Sequence, residues 1–210
     1  MNNLFRPFLD KSVVVYLDDI VVFNENTEDH NNHLAEVFEA LRQNQLYLKK
    51  SKSVFGQTKN SFLGHWIGQG CIHMNLAKIT TIEDWEEPRT IHEVKSFLSL
   101  ANYYHRFVEG YYKISAPLSD LLKKNKPWKW TEKYQTTFYG LKCRLVSAHV
   151  LKLPNFEQSF EVQTDASDFS IGGVLSWEAH PVAYESRKLQ DHEQRYSIHE
   201  KQMITVVHFL

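Results

Sequence analysis

Two adjacent aspartates between two apolar segments constrain the fold of this sequence more than any other feature. Residues 13–16 and 20–23 consist entirely of valine, isoleucine, tyrosine and phenylalanine, the residue types that favour β-strands. Asp18 and Asp19 lie between them. Two short strands separated by two polar residues predict a tight hairpin that is buried on at least one face.

The chemistry of this hairpin depends on why two carboxylates are neighbours at its tip. At about 4 Å, two like charges repel by ~1 kcal/mol in water and by more in a partly buried site. A divalent cation removes that repulsion, and Mg²⁺ is bound by one or two carboxylates together with substrate phosphates. Aspartate is also common in ordinary turns, so residues 16–19 alone leave a plain turn open as the alternative.

The residues that follow the hairpin change from helical to strand-like patterns. Apolar residues at i, i+3, i+4 and i+7 between residues 34 and 41 predict an amphipathic helix. Residues 53–55 and 61–67 predict strands. Residues 68–70 predict a turn before a further strand at 71–74.

From about residue 75 to residue 147 the pattern is helical. Thr90 and Glu93 have the spacing of a capping box, which opens a helix. This helix is predicted to carry Val94, Phe97, Leu98, Ala101 and, further on, Tyr104 and Phe107. Pro117 and Pro127 are predicted to break helices, and Thr131 precedes another helical segment.

The last part of the chain returns to strand-like segments and then ends in a helix. Residues 160–165, 171–176 and 181–184 predict strands. The apolar residues of the last helix predict a buried face made of Met203, Val206, Val207 and Leu210.

Composition limits the classes of protein that this chain can belong to. Of its 210 residues, 42% are hydrophobic and 23% are charged, as in ordinary globular proteins. No apolar run reaches the ~20 residues of a membrane helix, and the first residues lack the layout of a signal peptide. Cys71 and Cys143 are too isolated to predict a zinc site or a disulfide framework. An intracellular protein without a membrane anchor is expected.

A net charge of −1 excludes a global positive field. Binding of nucleic acid would therefore depend on local patches, of which two are evident. They are Lys49, Lys50 and Lys52, and Lys123, Lys124 and Lys126. Each could equally be a solvated lysine cluster.

Five segments together resemble the reverse transcriptase and ribonuclease H region of gypsy-type long-terminal-repeat retrotransposons. Residues 5–23 resemble the palm with its YxDD turn, and residues 62–65 resemble the primer grip. Residues 97–107 are similar to a thumb helix. Residues 164–168 and 180–189 are similar to the start of the ribonuclease H domain. The resemblance extends over the whole chain, in the order and spacing of the family.

The resemblance implies an α+β fold in three regions. Residues 1–75 would be the C-terminal part of the reverse transcriptase palm. Residues 76–152 would be the thumb and connecting helical region. Residues 153–210 would be the N-terminal part of a ribonuclease H-like α/β domain. The fingers and a third palm aspartate have no counterpart in this sequence.

The resemblance also implies roles for individual residues. Asp18 and Asp19 match the catalytic, metal-binding pair of the polymerase, with Mg²⁺ as the expected ion and Mn²⁺ as the second candidate. The positions that would contact the primer and template are Tyr16, Leu17, Phe62, Leu63, Gly64, His65, Tyr103, Tyr104 and Arg106. For the aromatic residues of the thumb, packing in the helix core remains the alternative.

In the ribonuclease H part, Asp165 matches the first catalytic carboxylate and metal ligand. The second carboxylate of the family falls on Gln202, and an amide is a weak, neutral ligand for Mg²⁺. Glu200 and Gln202 are ~200° apart on a helix, so only one of them can face Asp165. Asp168 and Glu185 are expected to be solvated.

The function implied is that of a fragment of an RNA-directed DNA polymerase with associated ribonuclease H. Its partners would be an RNA or DNA template–primer and dNTPs, in a cytoplasmic particle or the nucleus. The chain alone is expected not to polymerise. The first alternative is a catalytically dead retrotransposon relic that at most binds nucleic acid. The second is an unrelated soluble α/β protein with a chance hairpin.

Overall fold

The computed structural model describes residues 1–9, 11–24, 26–124, 126–148, 150–155 and 158–210. Asp10, which belongs to the palm-like segment, lies outside these ranges. The chain divides into two compact units, residues 1–62 and residues 63–210. The three regions inferred from the family resemblance stay a prediction.

The first unit is built around the predicted hairpin. Its elements are α1 (Asn2–Phe5), β1 (Val13–Tyr16), β2 (Asp19–Val22), α2 (Thr27–Gln43) and β3 (Lys59–Phe62). Strands β1 and β2 pair antiparallel, from Val13 opposite Val22 to Tyr16 opposite Asp19. The small core consists of Phe5, Val13, Val37 and Leu41. The hairpin and the amphipathic helix predicted from the sequence are both confirmed.

The strand predicted at residues 53–55 is wrong. Lys50–Lys52 form a 3-10 turn, and the extended backbone after it is not a strand. Val54 and Phe55 are 61% and 47% exposed. These residues do not form a strand because strand preference depends on packing against neighbouring strands, and residues 53–55 pair with none.

The second unit combines helices with two antiparallel sheets, so the architecture is α+β. Its strands are β4 (His65–Gly68), β5 (Cys71–Met74), β6 (Leu151–Lys152), β7 (Glu161–Ala166), β8 (Ser170–Trp177) and β9 (His180–Lys188). Its helices are α3 (Leu76–Glu83), α4 (Ile91–Tyr103), α5 (Tyr111–Leu121), α6 (Glu132–Val146) and α7 (Ile198–Phe209). Strand β5 pairs with both β4 and β6, and β8 pairs with both β7 and β9.

The core of the second unit contains the apolar residues of the predicted helix, α4. Val94, Phe97, Leu98 and Ala101 are buried on it, and Tyr104 and Phe107, which follow its end, are buried as well. The ring of Phe97 packs on the ring of Phe138 in α6, with centroids 4.7 Å apart. In the described part of the chain, no helix is both long and apolar enough to cross a bilayer.

Pro117 does not break a helix, contrary to the sequence prediction. It lies inside α5, where a proline costs about 3 kcal/mol because it removes a backbone hydrogen bond and crowds the preceding turn. Leu118 and Leu121, its neighbours on α5, are 0% and 2% exposed. Burial of such side chains contributes roughly 1.5–3 kcal/mol each, which offsets the cost of the proline.

The buried face of α7 is also different from the prediction. Met203 and Val207 are 64% and 71% exposed, whereas Lys201 and Thr205 are 6% and 1% exposed. Lys201 can be buried because its ammonium lies 2.9 Å from the carboxylate of Asp168. The hydrophobic pattern therefore indicated the outer face of the helix. The inner face was missed because it contains a lysine, which is buried with its charge paired to the exposed Asp168.

Candidate polymerase and ribonuclease H sites

The turn between β1 and β2 presents both aspartates at the surface. Because Tyr16 and Asp19 form the last pair of the hairpin, Leu17 and Asp18 are its two central residues. Leu17 has φ +53° and is 74% exposed. A positive φ at the first central position is typical of a type II′ turn, where glycine is usual. A leucine there stores roughly 1–2 kcal/mol of backbone strain.

The donor set of this turn suits a hard divalent cation. Asp18 and Asp19 are both exposed, and in the described residues neither carboxylate is held by an ion pair. No group of three or more His, Cys, Asp or Glu side chains placed to hold a metal occurs among the described residues. Mg²⁺ can be bound through two carboxylates when waters and substrate phosphates complete its shell, so the pair fits this ion.

A second strained turn begins the larger unit at Leu63 and Gly64. Their φ angles are +47° and +67°, the two positive values of a type I′ hairpin turn. The hydroxyl of Tyr103 donates to the carbonyl of Leu63. The hydroxyl of Tyr104 donates to the carbonyl of Gly64 at 2.8 Å. Two phenols on the helical segment therefore hold the backbone of this turn.

The ring of His65 completes the contact between the turn and the helical segment. It stacks on Tyr103 and Phe107, with centroid distances of 5.3 and 5.6 Å. Tyr104 meets it edge-on at 5.4 Å. Its Nδ1 donates to the carbonyl of Leu63 at 2.7 Å. Burial lowers the pKa of His65, so the neutral ring is favoured in this aromatic clamp, which we define as His65, Tyr103, Tyr104 and Phe107.

The clamp separates the predicted primer and template residues into two groups. Tyr104 is fully buried, whereas Tyr103 is 49% exposed. Arg106 is exposed and lies in the 3-10 turn His105–Phe107, whereas Tyr104 lies between the end of α4 and that turn. For Tyr104 the structure therefore shows core packing. Tyr103 and Arg106 remain accessible from solvent.

Alanine at Gly64 is expected to destabilise the chain more than alanine at Gly70. Both glycines have left-handed backbones, with φ of +67° and +71°. A Cβ at Gly64 would lie 3.0 Å from the Tyr103 hydroxyl, whereas a Cβ at Gly70 would meet nothing within 4 Å. Each variant loses about 1–2 kcal/mol from the backbone conformation, and Gly64→Ala also disturbs the phenol.

Urea denaturation of the two variants and the parent measures this difference. Equal losses of unfolding free energy would show that the close approach of Tyr103 to Gly64 contributes nothing.

The residues predicted for ribonuclease H chemistry lie on β7 and α7. Asp165 is exposed near the end of that strand, opposite Gly172 of β8. Helix α7 packs on β7 and β8. The ring of Phe209 packs so closely on Gly173 that a Cβ there would lie 3.0 Å from it. Gln202 is exposed on α7.

Glu200 has a different task in the structure. Its carboxylate accepts from the backbone N–H of Ser197 at 2.7 Å, and the Ser197 side chain accepts from the N–H of Glu200. This is a complete capping box, and the backbone hydrogen bond lowers the pKa of Glu200. The box predicted at Thr90 is only half formed, because Glu93 accepts from the N–H of Arg89 instead.

The expectation that Asp168 and Glu185 are merely solvated needs correction. Asp168 is exposed but neutralises the buried ammonium of Lys201. Glu185 lies 3.3 Å from Nε2 of His105 and accepts from the N–H of Ser186. Both carboxylates therefore hold elements of the second unit together.

Two sequence profiles match this chain, one in each part of the molecule. The profile "Reverse transcriptase (RNA-dependent DNA polymerase)" matches residues 1–67. The profile "RNase H-like domain found in reverse transcriptase" matches residues 130–210. The chain belongs to the reverse transcriptase–ribonuclease H family of retrotransposon polyproteins. The resemblance noted in the sequence is thereby confirmed.

Relatives of this reverse transcriptase-family chain come from insects and yeast. It is 37% identical over 209 residues to the Pol polyprotein from transposon 297 of Drosophila melanogaster, and 31% identical over 219 residues to that from transposon gypsy. The Tf2-3 polyprotein of Schizosaccharomyces pombe is 29% identical over 212 residues. Each match covers 99% of this chain but only 20%, 21% and 16% of the respective relative.

Solved structures share the same fold. A foamy viral protease-reverse transcriptase in complex with RNA/DNA hybrid superposes with a TM-score of 0.86 at 24% identity, over 99% of this chain and 29% of that one. A second foamy viral structure, in complex with ds DNA, gives 0.85 at 25% identity, over 98% and 37%.

Sequence reasoning missed two groups of this reverse transcriptase-family chain. The aromatic clamp joins residues about 40 positions apart, and only the closely spaced aromatics at 103, 104 and 107 hinted at it. The guanidinium of Arg187 binds the carboxylate of Glu193 through two hydrogen bonds of 2.7 and 2.9 Å. No sequence motif predicts that ion pair.

Proposed function

We propose that this chain is part of an RNA-directed DNA polymerase in which Asp18 and Asp19 bind a catalytic divalent metal, Mg²⁺ or Mn²⁺. The observation that carries the proposal is the exposed, strained hairpin, which presents two adjacent carboxylates that no ion pair among the described residues holds. The match of residues 1–67 to the reverse transcriptase profile supports it. We place the activity in a cytoplasmic particle or the nucleus.

The hairpin holds the metal and presents the residues beside it. A bound metal would activate the primer 3′-hydroxyl and stabilise the leaving pyrophosphate. Asp18 and Asp19 supply oxygen ligands from a turn that β1 and β2 keep in place. Tyr16 and Leu17 are 51% and 74% exposed, so they are available to contact the primer end and the incoming dNTP.

The primer–template is bound by the larger unit as well. Leu63 is 38% exposed on the turn held by the aromatic clamp, and Gly64 and His65 belong to the same predicted grip. Phe62, the remaining residue of that grip, is the last residue of the smaller unit. Tyr103 and Arg106 contact the nucleic acid, whereas Tyr104 orients the turn through its hydrogen bond to the carbonyl of Gly64. The foamy viral relatives were solved with RNA/DNA hybrid and with ds DNA, which supports a template–primer as the partner.

A second candidate function is binding of nucleic acid without catalysis. It is favoured by Gln202, which puts an amide where the family has a carboxylate, and by Glu200, which is engaged in the helix cap. Salt-dependent affinity for a duplex without any nucleotide incorporation would support this alternative, because neutralised phosphates release counterions.

Titration of the chain with Mg²⁺, followed by amide NMR signals, tests the metal site. We expect the signals of residues 17–20 to shift and the Asp18→Asn/Asp19→Asn double variant to lose those shifts. Asp168→Asn serves as the control, because this carboxylate is bound to Lys201. Identical shifts at residues 17–20 in the parent and the double variant would refute the proposed ligands.

A further inference from the structure

Positive charge is concentrated in one acid-free segment of the chain. Residues 40–82 contain six basic residues and no aspartate or glutamate. The rest of the chain has 18 basic and 25 acidic residues, so +6 in this segment opposes −7 elsewhere. A block of single-sign charge of this kind favours a polyanionic partner.

Within the first unit, residues 46–55 present this charge together with exposed rings. Lys49, Lys50 and Lys52 are all exposed. Tyr47 is 93% exposed, and Phe55 is 47% exposed. An exposed aromatic ring can stack on a base. The ammonium groups close to it in sequence can bind phosphates.

The segment is anchored to α2 at both of its ends. The N–H of Leu46 donates to the carbonyl of Leu41 at the end of α2, at 2.9 Å. At the other end, the ring of Phe55 packs edge-on against Phe38 of α2, with centroids 5.9 Å apart. Between these anchors the lysines form a 3-10 turn. Tyr47 and the lysines therefore lie close together in sequence, between two contacts with α2.

We infer that residues 46–55 form a binding surface for single-stranded nucleic acid, in which Tyr47 stacks on a base and the three lysines neutralise phosphates. Bases of a single strand are free to stack on a protein ring, whereas those of a duplex are already stacked on one another. Stacking contributes roughly 1–3 kcal/mol per base. This surface does not depend on the metal site, so it goes beyond the polymerase function proposed above.

The second lysine patch provides a contrast within the same chain. Lys123, Lys124 and Lys126 have the same spacing in sequence, but the ammonium of Lys123 lies 2.7 Å from the carboxylate of Asp120. The nearby Trp128 is stacked on Trp130 and is not free to receive a base. We therefore assign no strand binding to this patch and use it as the matched control.

Fluorescence anisotropy of a labelled oligothymidylate with the full chain, in EDTA and at several salt concentrations, tests the role of the lysines. Replacing Lys49, Lys50 and Lys52 by glutamine is expected to reduce the slope of log affinity against log salt by about 2, since each phosphate contributes ~0.7. The same change at Lys123, Lys124 and Lys126 should leave the slope nearly unchanged. Equal effects of the two triple variants would overturn the assignment.

Two variants of Tyr47 test the stacking. Tyr47→Leu should weaken binding about 5- to 150-fold, the equivalent of one stacked base, without changing the salt slope. Tyr47→Phe keeps the ring and should bind within about twofold of the parent. Unchanged affinity in Tyr47→Leu would overturn the proposal. Displacement of the oligonucleotide by polyglutamate, added at the same total negative charge, would overturn it too. Because the assay contains neither metal nor primer, its failure would leave the polymerase proposal untouched.

Discussion

Replacing Tyr104 by alanine is expected to lower the free energy of unfolding by about 4 kcal/mol, because truncation of a fully buried aromatic side chain typically costs 3–5 kcal/mol. Tyr104 is 0% exposed. It meets His65, Tyr103 and Phe107 edge-on, with centroids 4.9–6.0 Å away. Its removal would leave a cavity at the centre of the aromatic clamp and free the turn at residues 63–64.

A milder variant isolates the hydrogen bond within this effect. Tyr104→Phe keeps the ring but leaves the carbonyl of Gly64 without its donor, which should cost about 1–2 kcal/mol. Tyr139→Phe is the matched control, because Tyr139 is 44% exposed and its hydroxyl is 3.5 Å from Glu87. Urea denaturation followed by circular dichroism measures all three variants. If Tyr104→Phe and Tyr139→Phe lost equally little stability, the clamp would have no energetic role.

Replacing Glu193 by glutamine is expected to destabilise the second unit by about 2 kcal/mol. Glu193 is 5% exposed, and its carboxylate accepts from Arg187 twice and from the N–H of Gln190 at 2.7 Å. Loss of one partner leaves a desolvated charge unpaired, which costs 3–5 kcal/mol in fully buried pairs. The Arg187 side chain is 27% exposed, so water reduces that cost.

The pH dependence of stability provides an independent measurement of this pair. The Arg187 guanidinium and the Gln190 N–H lower the pKa of Glu193 from 4.5 to about 2. A carboxyl with a depressed pKa in the folded state stabilises the protein above its ordinary pKa. That contribution is lost as pH falls from about 4.5 towards 2. The stability difference between the parent and Glu193→Gln should therefore shrink over this range.

Glu178→Gln is the matched control for both experiments. The Glu178–Lys152 pair has the same distance, 2.7 Å, but the Glu178 side chain is 65% exposed. Exposed ion pairs contribute little to stability, so this variant should unfold almost as the parent does. A loss equal to that of Glu193→Gln would show that burial is not what makes the Arg187–Glu193 pair important.

Features carried by local sequence could be predicted. The hairpin at residues 13–22 was evident because strand-forming residues flank a polar turn. Helix α4 was evident because its apolar residues repeat with helical period. The family resemblance, which needs only motifs in order, identified the reverse transcriptase and ribonuclease H families whose profiles match the chain.

Features that depend on distant contacts could not be predicted. The inner face of α7 holds Lys201, which only its pairing with Asp168 allows to be buried. Pro117 remains inside α5 because its neighbours pack in the core. In both cases a tertiary contact decides between two interpretations of the same local pattern. The role of Glu200 is different, because its partner Ser197 lies three residues earlier and the pair has the sequence spacing of a capping box.

The central claim is that the turn at residues 16–19 supplies the metal ligands of a polymerase. Its most direct test places this chain in the transposon 297 polyprotein, in exchange for the matching residues of that relative, and measures RNA-templated DNA synthesis with Mg²⁺. We predict synthesis by the chimera, reduced about 100- to 1000-fold by Asp18→Asn, since a metal stabilises transition-state charge by several kcal/mol. Synthesis that persists undiminished in Asp18→Asn, or a folded chimera that binds primer–template without any synthesis, would contradict the claim.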